Sequence, residues 1–154
     1  MKKNHIELNN FWNSFYSDSQ HQNYEPSETL IRFIKSYEKK KIGTILDLSA
    51  GNGRHTMWLR KQKIETISSE INNKILNNIK NKKENKIILD LENQKTFKNI
   101  VKFNLKTIIS VSTFYHVDSV HLKKFMQYVS NHCSVNYVFC NFISNQDEIF
   151  QKRD

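Results

Sequence analysis

Apolar positions in this chain follow two rhythms, one helical and one of short continuous runs. Ile6, Leu8, Phe11, Trp12, Phe15 and Tyr16 recur at helical spacing and predict a helix over 6–16. A polar break over 17–25, relieved only by Tyr24, separates it from a second helical face of Leu30, Ile31, Phe33, Ile34 and Tyr37, opened by Pro26 and Ser27. Short β-branched runs then alternate with helical stretches. The runs 43–48, 64–69, 86–89, 107–112 and 135–143 predict strands; 54–62, 71–82 and 120–129 predict helices, and 92–104 reads as polar and weakly helical. Strand–helix alternation of this kind gives an α/β fold with a mainly parallel sheet and helices on both faces. The run 135–143 is almost wholly apolar, which implies cover on both of its faces.

Composition narrows the class. The chain has 154 residues, 38% hydrophobic and 25% charged, and is expected to form one domain: a helical cap over 1–42, an α/β core over 43–143 and a polar tail over 144–154. No apolar stretch reaches the roughly 20 residues of a membrane helix. The Met1-Lys2-Lys3 start is followed by Asn4, His5 and Glu7 where a secretory signal needs an apolar run, so a cytoplasmic protein is expected. Cys133 and Cys140 then read as reduced thiols, and with His121 and His132 they match no compact metal-ligand spacing; no metal is expected. A net charge of +9 invites a polyanion partner. Because the lysines are scattered among asparagines, nucleic acid is an alternative to a merely solvated surface and is not favoured over it.

The chemistry gathers at 44–53, Thr-Ile-Leu-Asp-Leu-Ser-Ala-Gly-Asn-Gly. A strand stops at an acid, a glycine-bearing turn follows, and a helix begins. Glycines let the backbone approach a ligand, and the helix start offers unpaired N–H groups. Asp47-Leu48-Ser49-Ala50-Gly51-Asn52-Gly53-Arg54 resembles motif I of the class I S-adenosylmethionine-dependent methyltransferases, with Ser49 where the family's first glycine stands. The resemblance implies a Rossmann-like fold of strand order 3-2-1-4-5 with two N-terminal helices, and it spans residues 25–145.

On that resemblance Ser49, Ala50, Gly51, Asn52 and Gly53 run beneath the methionine end of S-adenosylmethionine, and Asp47 orients the loop or meets the cofactor's amino group. Glu70 stands 23 positions beyond Asp47 (70 − 47), close to the roughly 20-residue offset of the acid that grips a ribose in dinucleotide-binding folds. A carboxylate there accepts from two hydroxyls at once. Asp90 and Leu91 inherit the adenine contact, and Ser112 borders the cofactor at the end of the fourth strand. Beyond it, Ser112-Thr113-Phe114-Tyr115-His116 lacks the Asn/Asp-Pro-Pro-Tyr sequence of methyltransferases acting on nucleic-acid bases or protein amides. His116, titrating near neutrality, is the candidate general base, with Tyr115 beside it facing the acceptor. Tyr16 and Tyr24 are the N-terminal aromatics expected nearest the ligands.

The expected activity is transfer of a methyl group from S-adenosylmethionine to the oxygen of a small molecule, leaving S-adenosylhomocysteine. The Phe-Trp-Asn-x-Phe-Tyr lead resembles enzymes acting on sugars or sugar-linked metabolites. Two alternatives stand beside it: an RNA methyltransferase using the positive charge, and a cofactor-binding protein without turnover. The family continues with a further helix and two strands, so here the fifth strand is expected to be an open edge available for a homodimer.

Overall fold

In the computed structural model, residues 5–17 and 25–141 are described. Helices α1 (His5–Ser17), α2 (Glu28–Lys35) and α3 (Lys39–Ile42) precede β1 (Thr44–Leu48), α4 (Arg54–Lys61), β2 (Thr66–Glu70), α5 (Asn73–Asn78) and β3 (Lys86–Ile88). A 3₁₀ segment (Gln94–Ile100) leads to β4 (Leu105–Val111), a 3₁₀ turn (Phe114–His116), α6 (Ser119–His132) and β5 (Tyr137–Asn141). The five strands form one parallel sheet of order β3-β2-β1-β4-β5. This is the expected fold. The short helix α3 between the cap and β1 was not in the sequence pattern.

Strand period two divides the core between the faces of the sheet. On one face Leu46, Leu48, Ile67 and Ile108 pack with Phe97, Ile100, Phe125 and Val129. On the other, Ile45 and Ile109 pack with Leu30, Ile34, Ile42, Leu59 and Ile64. Phe97 and Phe125 are fully buried and meet edge-on, ring centroids 5.3 Å apart. Phe97 and Ile100 therefore make the polar-looking stretch 92–104 part of the core, because their 3₁₀ turn aims both inward.

Two expectations are corrected. The helix read over 71–82 is confined to Asn73–Asn78. The Asn72 side chain caps it by accepting from the amides of Lys74 and Ile75. At the far end Asn81 leaves the helical path and donates to Thr66 O and Ser68 Oγ, tying the loop to β2. The fifth strand is described only to Asn141, leaving Phe142, Ile143 and the tail 144–154 outside the described residues. Its burial alternates instead of being continuous: Tyr137 and Phe139 face α2, while Val138 and Cys140 are exposed. Among the described residues no element covers that second face.

Candidate functional site

Strand order places β1 between β2 and β4, and the chain turns opposite ways after β1 and β4. Ligands of open α/β sheets bind in the crevice at such a switch point, outside the carboxyl ends of the strands. Serines with positive φ flank it: Ser49 (+54°) after β1 and Ser112 (+62°) after β4. A residue with a Cβ costs roughly 1 kcal/mol or more in this region. Ser49 thus occupies a turn position that a glycine would take without strain. Thr113 Oγ1 donates to Leu48 O (3.2 Å) and holds the two loops together. Ser112 Oγ and Ser110 Oγ are buried without a hydrogen-bond partner among the described residues.

Glu70 ends β2 and reaches the glycine loop. Its Oε2 accepts from Gly51 N (3.1 Å) and its Oε1 from Ile71 N (2.9 Å). Burial raises its pKa, and the amides of Gly51, Ile71 and Asn72 oppose that rise. Each carboxylate oxygen retains capacity for a further donor. Asp47, wholly enclosed, accepts from Thr56 Oγ1 (2.7 Å), and Thr56 shares a second contact with Ser68 Oγ (3.0 Å). Desolvation pushes Asp47 up to about 6 against the Thr56 hydrogen bonds and the Arg54 charge. Asp47 lies inside the wall behind the loop, and α4 is joined to the sheet through it.

Helix α1 closes this corner from above. The Tyr16 hydroxyl stands over Gly51: a Cβ there would collide with Tyr16 Oη. Glycine suits the φ of +57° here, and a larger residue would also displace the Tyr16 ring. Burial, reinforced by the Glu70 charge, pushes the Tyr16 phenol up to about 12, so it stays protonated. Tyr16 stacks on Trp12 (5.8 Å), and Trp12 meets the His116 ring edge-on (5.8 Å). One helix thus touches the glycine loop and the β4 loop together.

Ser49, Ala50, Gly51, Asn52 and Gly53 line the turn, with Asn52 Oδ1 accepting from Arg54 N. His116 is exposed on one side and desolvated on the other, which lowers its pKa. Tyr115 lies in the same 3₁₀ turn, but its side chain, like all of Tyr24, is outside what is described. Asp90 sits beyond β3 and closes an Asx turn, Oδ1 accepting from Glu92 N (2.9 Å). Leu91 is buried in the core against the sheet.

Sequence reasoning missed Thr56, whose spacing from Asp47 has no motif behind it. It also missed His55, which accepts from Ser27 N (3.3 Å) and is lowered to about 3 by burial and the neighbouring Arg54 charge. Among the described residues no three His, Cys, Asp or Glu side chains group as metal ligands, and no helix is long and apolar enough to cross a membrane.

No family model matches the chain, and no curated protein matches its sequence. Solved structures do match. An S-adenosylmethionine-dependent methyltransferase from Archaeoglobus fulgidus is 18% identical with a TM-score of 0.52, covering 87% of this chain and 55% of its own. One from Clostridium acetobutylicum is 21% identical with a TM-score of 0.53, over 82% and 53%. The glycopeptide N-methyltransferase MtfA, complexed with sinefungin, is 13% identical with a TM-score of 0.58, over 90% and 61%. The fold is therefore the Rossmann-like fold of S-adenosylmethionine-dependent methyltransferases, and the chain spans about half to three-fifths of the length of these structures.

Proposed function

We propose that the chain is an S-adenosylmethionine-dependent methyltransferase acting at an oxygen of a small molecule. One observation carries this reading: the Glu70 carboxylate and the Gly51 amide are hydrogen-bonded to each other at the switch point, under an aromatic helix. Glycine backbone and carboxylate are the donor and acceptor that a nucleoside carrying an amino-acid tail needs side by side. The residues fit the cofactor, which when bound supplies a methyl group already made electrophilic by its sulfonium.

The protein's share is positioning, worth up to roughly 7–11 kcal/mol when reacting groups are held in line. Glu70 accepts from the ribose hydroxyls, and the Ser49–Gly53 turn supports the methionine end. Asp90 and Leu91 border the adenine, and Ser112 lines the cofactor from β4. The Tyr16 phenol stands where entry must occur, so α1 swings aside for the cofactor and returns to exclude water. His116, kept neutral by partial desolvation, accepts the acceptor's proton, with Tyr115 alongside it. The absence of prolines in Ser112-Thr113-Phe114-Tyr115 supports oxygen over a base or amide nitrogen. A sugar or sugar-linked metabolite is the acceptor class we favour, in a cytoplasmic setting. The half-covered β5 edge supports a homodimer.

Thermal shift with S-adenosylmethionine and S-adenosylhomocysteine is the first test. Ligand at 100 times Kd stabilises by about 2.7 kcal/mol, roughly 5–10 °C here. Glu70→Ala abolishes that shift while remaining folded by circular dichroism. A folded parent showing no shift with either ligand sinks the reading.

A further inference from the structure

The opposite edge of the sheet, where the strands begin, carries a different chemistry. Helix α3 supplies Lys39, Lys40 and Lys41, and Lys39 Nζ donates to Gln62 O (2.7 Å), laying α3 beside the end of α4. There a groove of about 280 Å³ opens between Arg60, Lys63 and Thr66 on one side and Lys82 and Asn85 on the other. Glu65 is the one acid lining it, and its Oε2 accepts from Thr44 Oγ1 (3.0 Å). Among the described residues, Lys39, Arg60, Lys63 and Lys82 form no ion pair. The groove therefore carries three basic side chains against the single Glu65 carboxylate.

Aromatic surface stands at the same end of the sheet but across it, β5 lying three strands from β2, about 14 Å at about 4.8 Å per strand. Tyr37, two positions before Lys39, is 39% exposed and lies 4.8 Å from the Tyr137 ring at the start of β5, so both tyrosines share this edge. Other lysines, such as Lys123 and Lys124 on α6, are exposed without a groove lining or a ring contact. Four residue steps along β2, at about 3.3 Å each, set Thr66, in the groove, about 13 Å from Glu70.

We infer that the groove of Arg60, Lys63 and Lys82, with Lys39–Lys41 and the exposed face of Tyr37, binds a single-stranded polynucleotide. Phosphates occupy the cationic groove, and an unpaired base stacks on Tyr37. A single strand fits because only an unpaired base offers its face to an aromatic ring, and because the cations line a concavity. The inference does not depend on the methyltransferase reading, since the two sites lie at opposite ends of the strands.

Fluorescence anisotropy of the full chain with labelled rU20 and dT20, from 50 to 300 mM NaCl, tests it. Binding is expected in the range of about 1–100 µM near physiological salt, weakening steeply as salt rises. The double variant Lys63→Glu/Lys82→Glu is expected to lose tenfold or more, with a salt slope shallower by about 1.4. Tyr37→Ala is expected to lose about tenfold with the slope unchanged. Tighter rU20 assigns RNA; equal affinity assigns a strand read without its 2′-hydroxyl. The control Lys123→Glu/Lys124→Glu makes the same charge change on α6. If it weakens binding as much as the groove variant, net charge alone is responsible and the inference fails. It fails too if neither oligonucleotide binds the folded chain at 50 mM NaCl. Competition by phosphatidylserine vesicles equal to that by unlabelled dT20, with Tyr37→Ala inert, would make the face a membrane contact and overturn it.

Discussion

The two ends of this sheet use ionisable residues in opposite ways. At the carboxyl ends of the strands, acids are held by specific partners: Asp47 by Thr56 and Glu70 by backbone amides, both enclosed, and the half-buried Asp90 by its own turn. At the amino ends, Arg60, Lys63 and Lys82 stand in solvent around an open groove. Enclosed charges cost desolvation energy and must be held by specific partners; solvated ones cost little and act through their sum. Single substitutions should therefore be felt at the first edge, and charge only collectively at the second.

The largest effect should come from protons. Asp47, raised to about 6, holds its proton in the folded state between about pH 4 and 6 while the unfolded chain does not, so it lowers stability as pH rises through that window. His55, lowered to about 3, stays neutral when folded while the unfolded chain binds a proton below about 6.5, so it raises stability as pH rises. Between about pH 4 and 6 the two slopes oppose each other at about 1.4 kcal/mol per unit each. Asp47→Asn should expose the histidine slope, losing roughly 2.7 kcal/mol more than the parent on acidification from 6 to 4, as read by urea melts. If the variant's profile parallels the parent's, Asp47 is already ionised in the fold.

Next comes Gly51→Ala. Its Cβ would lie within the Tyr16 hydroxyl at a positive φ, so Tyr16 must leave the loop. We expect a loss of about 1–3 kcal/mol and a changed Trp12 fluorescence, with oligonucleotide binding unaltered. Altered oligonucleotide affinity would mean that the two edges are coupled. The smallest effect is Ser49→Gly, which relieves a side chain at φ +54° and should stabilise by about 1 kcal/mol or less in the same melts.

Much of this was legible along the chain. The strand acids announced the crevice because β-branched runs stop at Asp47 and near Glu70 and Asp90. Helix 71–82 was overread because Asn81 is polar in sequence, and only the fold gives its amide acceptors on β2. The fifth strand misled because apolar content states the capacity for burial, whereas an alternating pattern records which neighbours exist. His55 could not be found, since its meaning rests on Ser27, 28 positions away.

The sequence by itself determined the order of the strands and of the helices between them, the glycine turn and the row of acids, since these follow from local periodicity and backbone freedom. Only the tertiary structure decided that Tyr16 covers Gly51, that Thr56 secures Asp47, and that lysines scattered along the chain meet in one groove. Contacts between residues far apart in sequence depend on the packing of whole elements, and no local pattern encodes that packing.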